Sequence, residues 1–328
     1  MSHTFFIVGP TATGKSELAA DVAREVGAEI VSADAFQIYR GLNALTAKPE
    51  TATLAKAPHH LIGTIPLIEE MNAEKFRRAA ICAIEEINSR GKLPIVVGGS
   101  GLYIKALTHG LTPLPESDAK LREKLNAMSL DELHSQLAQV DQETARKIDL
   151  KNRRRLVRAL EIWLLSGKSM SEALAAGSAV VEGVDVGGLA DVRRRSAPAA
   201  IGGGSCIRDR GVFVFRDREE LYERINQRVE TIFKRGVIEE VGAAGVTSAT
   251  ASQMIGLREI RELLAGKKSF PKCIEEIQQA TRRYAKRQLT WFRRQTNFTP
   301  LNLSFLTHNE AVKWISLRML SKVGTRDD

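Results

Sequence analysis

Gly9-Pro10-Thr11-Ala12-Thr13-Gly14-Lys15-Ser16 follows the apolar run Phe5 to Val8 and precedes a helical pattern from Glu17 to Val26. Its spacing is that of the phosphate-binding loop G-x-x-x-x-G-K-[ST], and a strand before it with a helix after it is the context that motif needs. The glycines allow a nest of backbone N–H donors, Lys15 adds a positive charge, and the Ser16 hydroxyl can hold Mg²⁺. The stretch predicts a phosphate site, but it leaves open whether the phosphates are transferred, hydrolysed or released.

Strand and helix patterns alternate through residues 1–110. The strand candidates are Thr4–Val8, Glu29–Ser32 and Leu93–Val97, and the helix candidates are Ser16–Val26 and Ala73–Ser89. This alternation of strands and helices predicts an α/β fold, with a P-loop parallel-sheet core, helices on both faces, and phosphate chemistry at the carboxyl ends of the strands.

The rest of the chain differs in character. Leucines at 121, 125, 130, 133 and 137 recur at helical spacing, whereas residues 177–211 are rich in Gly, Ala, Val and Arg without a period. Helical patterns return at 217–236 and 270–297. We therefore predict three parts: a first part of the core at 1–112, a mainly helical insertion at 113–205 with a poorly defined link at 177–211, and a helical C-terminal part at 206–328 that completes the core.

The charge balance indicates a large anionic partner. The chain has 48 basic and 39 acidic residues, a net charge of +9, which is typical of proteins that bind nucleic acid. The absence of a long apolar run and of a charged-then-apolar leader predicts a cytoplasmic protein without a membrane segment. Three distant cysteines, Cys82, Cys206 and Cys273, indicate neither a disulfide framework nor a zinc site.

Asp34 follows the second strand candidate, in Ser32-Ala33-Asp34-Ala35-Phe36-Gln37. A carboxylate at that strand end can point toward the phosphate loop and act as a general base or orient Mg²⁺ and its waters. The alternative is an aspartate that only caps a turn.

A second glycine-rich turn, Gly98-Gly99-Ser100-Gly101, follows the strand candidate at 93–97 and is expected to face the same crevice. An ATPase commonly has an aspartate at such a strand end to hold Mg²⁺. Glycines and a hydroxyl there favour a substrate that approaches closely over a hydrolytic water.

Two other polar pairs carry less information. A loop lysine such as Lys48, in Thr46-Ala47-Lys48-Pro49, is usually only solvated. His59-His60 invites a metal interpretation, but adjacent histidines rarely bind one ion without a third ligand.

Two basic helices are predicted at 152–161 and 281–294. In the first, Arg154, Arg155 and Arg158 are expected on the outer face. In the second, Tyr284, Gln288 and Trp291 share a flank with arginines on either side, a pattern that suits phosphate contacts and base stacking. The alternative is a solvated helix face.

Together these pieces resemble the bacterial tRNA dimethylallyltransferases. The resemblance rests on Gly9–Ser16, Asp34–Tyr39, Thr46–Pro49, His59–Leu61, Gly98–Tyr103, Arg154–Glu161, Gln253–Gly256 and Arg283–Arg293, in the family's order over most of the chain. It implies transfer of a dimethylallyl group from its diphosphate to N6 of adenosine 37 of tRNA, with Mg²⁺ as cofactor and a monomeric, cytoplasmic enzyme. In that family the target base is flipped into a channel, which the resemblance implies here as well.

The resemblance also implies roles for residues. Asp34 and Ser100 are the catalytic pair, and Ser16 holds the metal. Diphosphate contacts are implied for Gly9, Thr11, Ala12, Thr13, Gly14, Lys15, Ser16, Arg122 and Arg228. Contacts with tRNA are implied for Asp34, Ala35, Phe36, Gln37, Ser100, Arg122, Arg154, Arg155, Leu156, Val157, Arg158 and Gln253.

Three positions depart from the family pattern: Ala35 stands in place of Ser, Leu45 in place of Gly, and Leu257 in place of Tyr. None removes a group with a proton or phosphate role. The alternatives are an adenylate isopentenyltransferase, which would not need the basic helices, a P-loop kinase or ATPase, and an RNA-binding module in which Asp34 and the phosphate loop are idle.

Overall fold

Six short strands form one parallel sheet in the part of the chain that the computed structural model describes, residues 4–173, 211–295 and 298–323. The order across the sheet is β3-β2-β4-β1-β5-β6, where the strands are β1 (Phe5–Val8), β2 (Glu29–Ser32), β3 (His59–His60), β4 (Pro94–Gly98), β5 (Gly211–Phe215) and β6 (Thr299–Asn302). Phe6 of β1 pairs with Val96 of β4 on one side and with Gly211 of β5 on the other. The loops after these strands therefore meet at one edge of the sheet.

Helices cover both faces of this sheet. In chain order the helices are α1 (Lys15–Val26), α2 (Thr51–Leu54), α3 (Ala73–Ser89), α4 (Gly101–His109), α5 (Ala119–Ala127), α6 (Leu130–Val140), α7 (Gln142–Lys147), α8 (Arg153–Ser166), α9 (Arg218–Lys234), α10 (Val237–Ala243), α11 (Leu257–Leu264), α12 (Phe270–Arg293) and α13 (His308–Val323). Because side chains alternate along a strand, Phe5 and Ile7 pack in a core with α1 and α13, whereas Phe6 and Val8 pack in a core with α3 and α12.

The described residues fall into two compact units. The first contains residues 4–108 and those from Gly211 onward, and the second begins at His109. Helices α5 to α8 build the second unit around buried Leu125, Leu133 and Leu137, as their helical spacing predicts. Leu130 of the same series is 37% exposed, because it lies at the first position of α6.

The α/β class with a parallel P-loop core is confirmed. The C-terminal part predicted to be helical also contains β5 and β6, two strands that the sequence patterns did not indicate and that extend the sheet beyond β1. The predicted link at 177–211 and Cys206 lie outside the described residues, apart from Gly211, which begins β5. Among the described helices, none combines the length and the apolar composition that crossing a membrane requires.

Candidate active site

The phosphate loop lies between β1 and α1, as predicted. Gly9 approaches β5 so closely that a Cβ at this position would lie 2.1 Å from the carbonyl oxygen of Val214. Gly14 precedes α1 with a φ of 89°, a conformation that glycine adopts without strain. The hydroxyl of Thr13 and the ammonium of Lys15 both donate to the carbonyl of Pro10, each at 3.0 Å. These two side chains fold the loop back on itself at the N-terminus of α1, where backbone N–H groups can receive an anion.

Three arginines surround this loop, and two of them were not identified from the sequence. Arg216, directly after β5, donates to the carbonyl of Thr13 at 3.0 Å, and Arg224 of α9 donates to the carbonyl of Ala12 at 2.9 Å. The predicted Arg228, one helical turn further, donates to the Thr11 hydroxyl at 2.9 Å. The four-residue spacing of Arg224 and Arg228 was a readable signal, since it places both on one face of a helix.

Lys15 is buried and the three arginines are partly shielded from water. Burial lowers the pKa of Lys15 to about 8, although the negative charge of Asp34 acts in the opposite direction. Burial likewise lowers the pKa of Arg224 and of Arg228, but a guanidinium keeps its charge at neutral pH. The loop therefore concentrates positive charge where an anion would neutralise it.

Asp34 lies directly beyond β2, and its carboxylate caps the following turn. Oδ1 accepts the N–H groups of Phe36 at 2.9 Å and Gln37 at 3.2 Å. Oδ2 has no hydrogen-bond partner among the described residues. Capping and base chemistry are therefore compatible, because one oxygen anchors the turn and the other remains available to take a proton.

Ser100 connects the second glycine-rich turn to Asp34. Its hydroxyl accepts the N–H of Ala35 at 3.0 Å, and its own N–H donates to the carbonyl of Ala33. Gly98, two residues before Ser100, must be a glycine, since a Cβ there would lie 2.2 Å from the Ala33 carbonyl oxygen. Ser100 thus holds the backbone on both sides of Asp34.

A cavity of about 60 Å³ joins the loop to Asp34. Its polar lining consists of Thr11, Asp34, Thr46, Arg228, Thr281 and Tyr284, and its apolar lining of Phe36, Leu45, Val229, Ile232, Met254, Ile255 and Ile277. Burial, followed by the negative charge of Asp34, raises the pKa of Tyr284, so its phenol stays neutral. The cavity is charged at one end and apolar elsewhere, as suits a ligand with an anionic head and a hydrocarbon part.

The loop around Thr46-Ala47-Lys48-Pro49 is held more tightly than its sequence indicated. Lys48 donates to the carbonyls of Tyr39 and Gly41 and to the Asn43 side chain, so the interpretation of a merely solvated lysine is wrong. The Glu240 carboxylate accepts the N–H groups of residues 44 and 45, both at 3.0 Å.

This loop in turn fixes Gln37 and the cavity residue Leu45. Gln37 donates to the carbonyl of Ala47 at 3.0 Å. Leu45, one of the three departures from the family pattern, is buried and packs against Gly256.

The predicted nucleic-acid flank of α12 faces inward over part of its length. Gln288 is buried, Tyr284 lines the cavity, and Trp291 packs against Gly101, where a Cβ would lie 2.6 Å from the indole ring. Arg283, Arg287 and Arg293 are exposed. The aromatic residues of this helix therefore support the site, while its arginines form the outer surface.

In the second unit the predicted contacts divide in two groups. Arg154 and Arg155 are exposed, but Leu156 and Val157 are buried in the helical core, so their side chains are not placed to contact RNA. The expectation that Arg158 points freely outward is wrong, because it is half-buried and bonded to Glu161 and to the carbonyl of Pro115.

Arg122 is held by the same acid. Its guanidinium donates to both oxygens of the fully buried Glu161, at 2.9 and 3.0 Å. Its diphosphate role stays a prediction.

Other candidates have local explanations. His60 bonds to Glu29 and His59 to the carbonyl of Ala57, and the described residues contain no cluster of His, Cys, Asp or Glu that could hold a metal. Ser16 is half-buried in the first turn of α1, and Gln253 is exposed in a 3₁₀ turn at 251–253.

Comparisons with known proteins agree on one family. A family model described as IPP transferase matches residues 37–295. A tRNA dimethylallyltransferase 1 of Citrifermentans bemidjiense is 41% identical over 293 residues, 88% of each chain. The tRNA dimethylallyltransferase of Geobacter sulfurreducens is 39% identical over 317 residues, 94% of this chain and 90% of its own.

Solved structures extend the likeness to the fold. The full-length tRNA isopentenylpyrophosphate transferase of Bacillus halodurans is 29% identical and aligns over 98% of each chain with a TM-score of 0.65. The corresponding transferase of Staphylococcus epidermidis is 30% identical, with a TM-score of 0.63 over 97% of this chain and 99% of its own. From the extent of the family match and the identity shared with these relatives, the chain belongs to the IPP transferase family.

Proposed function

We propose that this enzyme transfers a dimethylallyl group from dimethylallyl diphosphate to N6 of adenosine 37 in tRNA, giving N6-(dimethylallyl)adenosine and diphosphate. The observation that carries the proposal is one cavity lined by both Thr11 of the phosphate loop and the carboxylate of Asp34. An anion at the loop and a nucleophile at Asp34 would then meet in the same space. The names of the relatives supply the substrates.

The residues of this site can supply the chemistry. As N6 attacks C1 of the dimethylallyl group, the C1–O bond to diphosphate breaks, the bonding electrons leave with the diphosphate, and the N6 proton passes to Asp34. An exocyclic amine is a weak nucleophile, so a positioned base assists bond formation. The ammonium of Lys15, the guanidinium of Arg228 and the loop amides stabilise the departing anion.

In this proposal Ser16 would hold Mg²⁺, the cation we expect in this site. Its hydroxyl lies half-buried beside the loop, and oxygen is the donor that Mg²⁺ prefers. When bound, the ion supplies further neutralisation of the diphosphate charge. Lys15 and Arg228 contribute to the same end from the protein side.

Exposed basic residues suit the tRNA. Arg154 and Arg155 of α8, Gln253, and the exposed arginines of α12 offer the phosphate contacts that position a nucleic acid. An adenylate isopentenyltransferase would have no use for these surfaces, and the absence of an aspartate after β4 disfavours an ATPase. A cytoplasmic location and a monomeric state stay predictions.

One incubation tests the proposal. Purified enzyme, dimethylallyl diphosphate, Mg²⁺ and a tRNA with adenosines at 36, 37 and 38 are combined, and prenylated adenosine is quantified. We expect product with tRNA and none with free AMP. ATP hydrolysis in place of transfer would refute the assignment.

Asp34→Asn tests the base directly, because the amide oxygen can still cap the Phe36 and Gln37 amides. Loss of a general base lowers a rate by about 10² to 10⁴. We expect that loss in the transfer rate, with tRNA affinity unchanged. The exposed Asp131→Asn variant is the matched control. Full activity of Asp34→Asn would remove Asp34 from its role.

A further inference from the structure

Gln288 has no role in the proposed chemistry, yet it is a buried polar side chain at the centre of the site. It lies on α12 one turn after Tyr284 and one turn before Trp291, so the three share one face of the helix. Only 6% of Gln288 is exposed to solvent. A buried amide requires partners, and these partners define what the residue does.

The amide group bridges the two glycine-rich turns. Its Oε1 accepts the N–H of Thr11 at 2.9 Å, and its Nε2 donates to the carbonyl of Gly99 at 2.8 Å. A backbone N–H can only donate and a carbonyl can only accept, so these partners fix the orientation of the amide. The contact is close, since a Cβ on Gly99 would lie 2.4 Å from Nε2.

Each partner leads within one residue to a group of the proposed reaction. On the loop side, the Thr11 hydroxyl is held by Arg228 and lines the cavity. On the other side, Gly99 precedes Ser100, whose hydroxyl holds the backbone next to Asp34. One side-chain amide therefore connects the diphosphate end of the site to its base.

We propose that Gln288 is a positioning residue that sets the distance between the diphosphate on the phosphate loop and the carboxylate of Asp34. This inference rests on the proposed function. Gln288 touches no substrate atom in it and acts through Thr11 and Gly99. Its position on α12, whose exposed face carries arginines, also links the site to the surface proposed for tRNA.

Two variants separate the bonds from the packing. Gln288→Met keeps the length and volume of the side chain and removes both hydrogen bonds. Gln288→Glu keeps an acceptor for the Thr11 amide, but an ionised carboxylate cannot donate to Gly99. The matched control is Gln279→Met, since Gln279 is exposed on the same helix.

The expected result is a lower rate of the chemical step. Misplacement of reacting groups by about 1 Å can cost about 100-fold in rate, so we expect a fall of about 10 to 100-fold in single-turnover rate with both substrates saturating. The dissociation constant for tRNA should change less than about twofold, because the exposed arginines are untouched. Rates equal to those of Gln279→Met, or losses explained by tRNA affinity alone, would overturn the inference.

Amide exchange gives a readout independent of activity and of how well the variants fold. In the unaltered enzyme the Thr11 amide should exchange slowly, because its N–H is bonded to a buried oxygen. Fast exchange there would overturn the inference even if a variant failed to fold. An inactive unaltered enzyme would refute the proposed function and this inference with it, whereas an active one with unimpaired Gln288 variants would refute the inference alone.

Discussion

The pH dependence of diphosphate affinity should report the burial of Lys15. The ammonium is surrounded by protein, donates to the Pro10 carbonyl, and lies near the like charge of Arg228. Burial lowers its pKa from 10.5 to about 8 in the ligand-free protein. A bound diphosphate places negative charge beside it and should raise that pKa again.

The magnitude follows from the protonated fraction. With a pKa of about 8, roughly 90% of Lys15 is charged at pH 7 and roughly 10% at pH 9. The apparent dissociation constant rises as the competent fraction falls, so affinity for dimethylallyl diphosphate should drop about tenfold over this range. A lysine with the ordinary pKa of 10.5 would remain almost wholly charged, and its affinity would hardly change.

Calorimetric titration with dimethylallyl diphosphate between pH 7 and pH 9 measures this directly. In buffers of different ionisation enthalpy, binding at pH 8 should take up about half a proton per diphosphate. Lys15→Met should bind weakly, without the pH dependence, and the exposed Lys92→Met should behave like the unaltered enzyme. A flat affinity through pH 9 would refute the reasoning.

Lys15→Met and two further substitutions test folding stability and anion binding. The depressed pKa of Lys15 destabilises the folded protein by roughly 3 kcal/mol below pH 8, and this cost is relieved as the pH rises from 8 to 10.5. Because Lys15→Met removes the buried charge, it should raise the free energy of unfolding at pH 7, as measured by denaturant titration. Glu161→Gln removes the buried charge that holds Arg122 and Arg158, whose side chains are 34% and 27% exposed and so keep part of their solvation. The loss should be about 1–3 kcal/mol, seen as a lower melting temperature, and an unchanged melting temperature would contradict this. Gly9→Ala pushes a methyl group into the Val214 carbonyl and should abolish diphosphate binding, whereas Gly245→Ala, which meets no atom within 4 Å, should retain it.

The sequence was informative where one short stretch carries a whole structural unit. The phosphate loop needs two glycines, a lysine and a hydroxyl at fixed spacing between a strand and a helix, and all of these are local. The same holds for Asp34 at the end of β2. Such features can be recognised before the remainder of the fold is known.

Features that depend on distant partners could not be predicted in this way. β1 pairs with β5, a strand that lies about 200 residues later in the chain. Only this pairing places Arg216 next to the carbonyl of Thr13. The sequence likewise does not show that Glu161 forms ion pairs with both Arg122 and Arg158. An arginine committed to a buried acid and one on an open surface have the same local pattern.

The central place of β1 also has a consequence for how the chain folds during synthesis. The phosphate loop is made before the groups that hold it: the partners of Thr13 and Thr11, Arg216 and Gln288, follow 203 and 277 residues later. Contacts of such long sequence separation form slowly. We expect the nascent chain to present an incomplete sheet, with β1 unpaired toward β5, until residues 211–215 have been made. Ribosome-bound fragments ending before α12 should therefore depend on chaperones and be unable to bind diphosphate.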